Sequence, residues 1–295
     1  MNRFCSRPAI LVIVLAVFVF TSNALARDSA ILSHYNVTAS PSRVFKLPAF
    51  LREISGIALS PDGRLFCHGD EEGTLYQVDP ATGAVVKQFQ LVEGKHNRKE
   101  QIKADFEDIA IVGERFFLVT SSGTLYEFRE GGNKEDVTAV KYNTLLDSSY
   151  DVEGLCYDAS KGELLLACKA ASPKSRSGKN FREVYAFSLK TMSLSPVPRF
   201  LLDAATIAKA AGEKKEFNPS AILPYPESES VLMISSHAHL IAEISARDGR
   251  LLGVAKLPKK YHIQPEGLAL LSDKTLLISD EGPEHGTINR YNFKK

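Results

Sequence analysis

Asp151-Val152-Glu153-Gly154-Leu155-Cys156-Tyr157-Asp158, followed closely by the apolar run Leu164-Leu165-Leu166-Ala167, reads as a strand and a second strand returning beside it. The first five residues of this stretch are one copy of a phrase. An oxygen-bearing residue comes first, then any residue, then Ser or Glu, then a small residue or Asp, then Ile or Leu. The other copies are Glu53-Ile54-Ser55-Gly56-Ile57, Asp105-Phe106-Glu107-Asp108-Ile109, Asn218-Pro219-Ser220-Ala221-Ile222 and Gln264-Pro265-Glu266-Gly267-Leu268. Their first residues are 52, 46, 67 and 46 positions apart along the chain. A period of this size marks a blade-type repeat.

Working outward from each phrase, the same events follow. In the first copy Ser60-Pro61-Asp62-Gly63 is a turn, residues 64–67 return as a second strand, and Gly73-Thr74-Leu75-Tyr76-Gln77-Val78 opens a third. Asp79-Pro80-Ala81-Thr82-Gly83 turns again before a fourth strand over 84–91. The second strands are apolar throughout, as in Val231-Leu232-Met233-Ile234 and Leu276-Leu277-Ile278. Such strands are covered on both faces, which a ring of four-stranded sheets achieves and a sandwich does not. The expectation is an all-β chain forming a single β-propeller of five four-stranded blades. Six blades follow if the stretch between the third and fourth phrases hides one. That stretch instead reads as an inserted helix, with Asp203 as N-cap, 204–211 as helix and Gly212 as its stop. The last repeat ends after three strands, and Arg43-Val44-Phe45-Lys46-Leu47 is a spare strand expected to complete it and close the ring.

Residues 1–26 read as a signal peptide and 27–295 as the propeller domain. Arg3 and Arg7 precede an apolar stretch over 8–20, and Ala24-Leu25-Ala26 supplies a cleavage site. The expected location is the periplasm or the exterior, with tethering to the cell membrane if the segment is retained. Of 36 basic and 35 acidic residues, loss of the two leader arginines leaves 34 against 35. This balance argues against nucleic acid as a partner. Cys67, Cys156 and Cys168 remain in the mature chain without zinc spacing, and they read as small buried residues. A Cys156–Cys168 bridge is disfavoured by a register that sets Cys168 opposite Glu153.

In an antiparallel blade the first strand starts on the rim to which the second returns. The phrases therefore share a rim with Asp70, Lys169, His237, Asp280 and Glu281, all expected to line a ligand site. The long insertions 93–103, 169–182 and 203–216 map to the same rim, where loops on a rigid scaffold carry binding. The oxygen-bearing positions form two tiers: Glu53, Asp105, Asp151, Asn218 and Gln264, then Ser55, Glu107, Glu153, Ser220 and Glu266. Carboxylates converging on one axis raise one another's pKa unless a cation compensates. All-oxygen donors select a hard ion, and this mixture suits Ca²⁺. The expected metal ligands are Glu53, Asp105, Glu107, Asp151, Glu153, Asn218 and Glu266. Lys169 could neutralise part of the tier without any metal.

The phrases, together with Gln264-Pro265-Glu266-Gly267-Leu268-Ala269 and the Asp151 stretch, resemble the SdiA-regulated family of exported β-propellers, in its YjiK and CarP types. The resemblance runs from about Phe45 to Tyr291. It implies a periplasmic propeller with calcium-linked roles and a distant likeness to calcium-dependent phytases. Its acidic strand-start positions fall on Glu53, Glu107, Glu153 and Glu266, and the chain departs from it at Asn218 and Ser220. The expected function is an exported calcium-binding module of the cell envelope, active in calcium homeostasis or signalling. Its expected partner is a small anionic ligand or an envelope protein. The alternative is a metal-dependent hydrolase of phosphate esters or lactones.

Overall fold

Every residue of Ser230–Ser235 and Leu240–Ser245 is buried, and so are five of the six in Glu163–Cys168. Strands covered on both faces need a sheet on each side, and the ring supplies it. The computed structural model describes residues 31–294 apart from 96, 97, 172, 174–177 and 227. The leader and its cleavage site lie outside the described residues.

Five sheets form a five-bladed β-propeller. The first blade runs Ile54–Leu59, Leu65–Gly69, Thr74–Val78 and Val85–Lys95; the second Phe106–Val112, Arg115–Thr120, Leu125–Arg129 and Val140–Tyr142. The third has Val152–Asp158, Glu163–Cys168 and Phe181–Ser188, with its outer strand in two pieces, Ser193–Leu194 and Phe200–Asp203. The fourth comprises Ala221–Pro224, Ser230–Ser235, Leu240–Ser245 and Leu251–Lys256. Gln264–Leu270, Leu276–Glu281 and Thr287–Tyr291 make the fifth, which Arg43–Lys46 completes in the register Arg43↔Arg290 to Lys46↔Thr287. The sixth-blade alternative is excluded. The stretch that left it open holds a helix, Ala204–Ala210, capped by Asp203 accepting from the Thr206 amide at 2.9 Å.

The hydrophobic core is divided into five clusters, one between each pair of adjacent blades. Phe45 and Leu47 join Ile54, Leu65 and Ile288 in the cluster that closes the ring. Asp136–Thr138 leaves the second blade to lie parallel to the outer strand of the first, and the chain then returns to the second at Val140–Tyr142, strapping the two together. At the start of the described chain, Leu32, Tyr35 and Val37 pack between the fourth and fifth blades. There the Leu32 amide donates to the buried Glu243 carboxylate at 2.9 Å. Cys67, Cys156 and Cys168 are free and buried.

The fourth residue of each phrase forms the seam between neighbouring inner strands. A Cβ on Gly56 would lie 2.8 Å from Asp108 Cα, and one on Gly154 would lie 3.2 Å from the Ile222 nitrogen. Where Asp replaces the small residue it becomes a stitch. The two oxygens of Asp108 accept from the Ile109 amide at 2.8 Å and from the Leu155 amide of the next blade at 2.7 Å. The Ser220 hydroxyl donates to the Pro265 carbonyl at 2.8 Å, and Ser279 Oγ donates to the Ser55 carbonyl at 3.0 Å.

Gly267→Ala would bring a Cβ to 2.3 Å from Ser279 Oγ and 2.8 Å from the Ser55 carbonyl oxygen. The expected cost is about 2–3 kcal/mol, from forcing two close-packed strands apart. Gly162→Ala, in open space at φ +68°, should cost about 1 kcal/mol for left-handed backbone alone. Paired urea midpoints measure both; equal losses would contradict the seam.

Candidate functional site

Four of the five inner strands carry a register shift at the same point: between Ile54 and Ile57, Phe106 and Asp108, Val152 and Gly154, and Pro265 and Gly267. A bulged residue leaves the ladder, and its side chain is re-aimed by the local kink. The residues so placed include Glu107, Glu153 and Glu266. The bulge also corrects the expected register, because Cys168 pairs with Val152 and Glu153 has no partner of its own in the ladder.

These glutamates and their neighbours form one electrostatically coupled group. Burial, followed by Glu153, Asp105, Asp151 and Glu266, pushes the Glu107 carboxyl up to about 9. Burial raises Glu153 to about 7 against the opposing pull of Lys169, with Asp151 and Asp105 adding to the rise. Glu266 stands well above the carboxylate range through burial, Glu153 and Glu281, while Lys169 and a hydrogen bond from Ser236 draw it back. Burial also lifts Glu281 to about 7, helped by Asp70, Glu53 and Glu153. Asp70 and Asp151 are raised as well, in each case by burial first. Glu107 and Glu266 nevertheless stay partly exposed. These partly exposed carboxyls, at the starts of the inner strands, define an acidic recess at that end of the axis.

Six of the seven expected metal ligands belong to this coupled group: Glu53, Asp105, Glu107, Asp151, Glu153 and Glu266. Asp151 is held at φ +51°, a left-handed conformation that Asp tolerates better than most residues. Asn218 is turned elsewhere. Its Oδ1 accepts from Arg182 Nε at 3.0 Å, so this donor atom is engaged. Among the described residues no group of three or more His, Cys, Asp or Glu side chains is set to hold a metal ion as it stands.

Of the residues expected to line a ligand site, Asp70, Lys169 and Glu281 belong to the recess. Gln264 Nε2 donates to Glu281 at 2.6 Å and fixes its direction. Lys169 forms an ion pair with Glu153, its side chain 38% exposed against 7% for the glutamate. Burial alone would lower the Lys169 pKa; Glu153, Asp151 and Glu266 outweigh it and the net shift is upward. Asp280 does not belong. It is buried, with Oδ2 against His262 Nδ1 at 2.9 Å and Asn289 Nδ2 at 2.8 Å, while His262 Nε2 meets the Tyr291 hydroxyl at 2.6 Å. Adjacent strand residues point to opposite sides, so Glu281 faces the recess and Asp280 anchors the strand beneath it. His237 is exposed. Two basic residues of the insertions on this rim are engaged: Lys103 with Glu72 at 2.9 Å, and Arg182 with Glu216 at 2.6 Å. Lys174 and Arg176 lie outside the described residues. Ser236, which steadies Glu266, was missed as a site residue; its one signal was its place on the shared rim.

The far end of the axis differs. A cavity of 430 Å³ there is lined by Ile57, Ile109, Leu155, Ile222 and Leu268, the fifth residue of each phrase, and by residues beyond them that are mostly apolar but include Asp158, Ser160 and Ser228. The axis is thus acidic where the inner strands begin and mostly apolar where they end.

No family model and no curated protein matches the chain. Solved structures do. A glutaminyl cyclase from Myxococcus xanthus is 14% identical, with a TM-score of 0.57 over 86% of this chain and 95% of that one. A PQQ-bound aldose sugar dehydrogenase from Streptomyces coelicolor is 12% identical, with a TM-score of 0.50 over 86% and 99% of the two chains. A luciferin-regenerating enzyme is 12% identical, with a TM-score of 0.50 over 85% and 95%. At these identities the likeness is one of fold. Among the described residues no helix is long and apolar enough to cross a membrane. What the comparisons and the geometry jointly establish is a β-propeller with a coupled group of acids at one mouth of its axis.

Proposed function

We propose that the protein is an exported calcium-binding β-propeller that acts as a binding or regulatory module of the cell envelope, with the ion taken up at the acidic mouth. One observation carries this reading. Asp70, Glu107, Asp151, Glu153, Glu266 and Glu281 are each raised by burial and by neighbouring carboxylates, Glu53 and Asp105 among those neighbours, and Lys169 supplies an opposing charge that Glu153, Glu266 and Glu281 feel. The donor chemistry fits a hard cation: carboxylates, with the Ser236 hydroxyl and the Gln264 amide supporting them. Glu107, Glu153 and Glu266 would hold the ion, with Asp105, Asp151 and Glu281 around them and water completing its shell. The bound ion would supply the charge compensation the acids lack. Location in the envelope rests on the leader-like residues before Arg27.

The same charge turns the expected partner class around. An anionic ligand would be repelled at this mouth, and so would a phosphate ester, unless the ion entered first. The ligand class the mouth favours is a cation.

Melting of EDTA-treated protein with and without millimolar CaCl₂ at pH 7.5 tests the proposal. A ligand that binds only the folded state at a hundredfold excess over Kd adds about 2.7 kcal/mol. In a domain of this size that is a rise of about 5–10 °C. An unchanged midpoint would remove calcium from the proposal. Turnover of phosphate esters or lactones that disappears with EDTA and with Glu153→Gln would move the protein to the hydrolase class.

A further inference from the structure

We propose that Lys169 is a tethered counter-ion: its ammonium occupies the acidic mouth and must swing out before an external cation enters, so it sets both the threshold and the valence preference of the site. This rests on the cation reading given above.

The root of Lys169 is fixed. It is the first residue beyond the strand Glu163–Cys168, its amide donates to the Asp151 carbonyl at 2.7 Å, and the next amide, of Ala170, donates to the Tyr150 carbonyl at 3.1 Å. The stem above that root is a flexible four-carbon chain carrying a compact charge. It reaches from solvent to Glu153, which is almost fully covered. The ammonium is also felt by Asp151, Glu266 and Glu281, carboxylates of the third and fifth blades. Paired with Glu153, its charge therefore acts on the carboxylates of facing blades that an incoming ion would meet. Of the other cations of this rim, Arg52 stays at the exposed edge of the acidic group, and Lys103 and Arg182 are directed elsewhere. Arg52 pairs with Glu53 at 3.1 Å with both side chains well exposed, Lys103 pairs with Glu72, and Arg182 is spent on Asn218, Glu216 and nearby carbonyls.

A tethered charge competes as though it were present at high local concentration, about millimolar or more for a short flexible link. A monovalent ion offers the acids no more charge than the lysine and lacks the tether, so it does not displace it. A divalent ion exchanges one positive charge for two. If the mouth is free of the ammonium for about a tenth of the time, apparent affinity for the divalent ion falls about tenfold.

Calorimetric titration of CaCl₂ and KCl into the full mature protein and three variants tests this. Lys169→Met and Lys169→Gln remove the tethered charge, the second keeping a polar head in case the first folds poorly. Lys169→Arg strengthens it, because a guanidinium grips carboxylate with two donors. The expected results are Ca²⁺ affinity about tenfold higher in the Met and Gln variants, unchanged or weaker in the Arg variant, and K⁺ competing only once the lysine is gone. Binding in a neutral variant with none in the wild type would equally support the proposal. Equal affinity in all four proteins, or weaker binding in both neutral variants, would overturn it while leaving the cation reading intact. No binding in any of the four would remove both.

Discussion

A chain that begins at Pro48 is expected to show no single cooperative melting transition. The closing strand contributes Phe45 and Leu47 to the cluster between the fifth and first blades, and it covers the edge of Thr287–Tyr291. The segment before it seals the fourth and fifth blades with Leu32, Tyr35 and Val37 and satisfies the buried carboxylate of Glu243. Each of these apolar side chains contributes about 1.5–3 kcal/mol through burial, and together they rival the whole stability of a typical domain, about 5–15 kcal/mol. An open edge also invites pairing between chains. Circular dichroism melts and size-exclusion chromatography read the outcome: a broad, low transition with aggregates. A milder arm is Phe45→Ala, expected to cost about 3–5 kcal/mol with folding retained. A truncated chain that melts sharply near the wild-type midpoint would show that closure is dispensable.

In calcium-free buffer, stability is expected to fall as pH rises from about 5 to 9, and calcium should reverse the trend. The sign follows from proton counts. Glu107 has a folded pKa of about 9 against 4.5 for a free glutamate, so between these values the folded state holds the proton and the unfolded state does not. Stability then decreases with pH across that window. Glu153 and Glu281, each raised to about 7, act in the same direction over the lower half of it. The recess is partly hydrated, so the combined loss is set at about 2–4 kcal/mol, well below a direct conversion of the shifts. Urea midpoints at pH 5, 7 and 9 measure it. Glu107→Gln should flatten the slope at the alkaline end and at the same time abolish the calcium effect. A slope unchanged by that substitution would mean that Glu107 ionises freely and the acids are uncoupled.

The architecture was legible because the phrase recurs. Its Ile or Leu, its small residue and the unbroken apolar second strands each answer to a different surface of a packed blade, and all agree. The helix over Ala204–Ala210 and the closing strand were likewise readable from local signals, a capping Asp and an unmatched strand. The site was harder. Alternation along an ideal strand placed both tiers on one side, but the glutamates owe their direction to bulges, which a single sequence does not announce. Asn218 was misplaced because its partner, Arg182, comes from a neighbouring strand distant in sequence. Asp280 looked equivalent to Glu281 until the His262 and Asn289 hydrogen bonds separated them. In the second blade the fourth position of the phrase, Asp108, carries a carboxylate whose value is entirely interior.

The bulges divide the labour within each phrase between two consecutive residues. One belongs to the seam and answers for whether the ring holds together. In the second, third and fifth blades the one before it is a glutamate of the recess and answers for what the recess attracts. Where the two duties fall on different side chains, the mouth can be recharged by single substitutions that leave the seam contacts in place. The fourth blade, with Ser220 turned to the seam and Asn218 to Arg182, shows that a whole sector can leave the mouth while the rotor stays intact. A propeller built this way is a fixed hub with an editable bore.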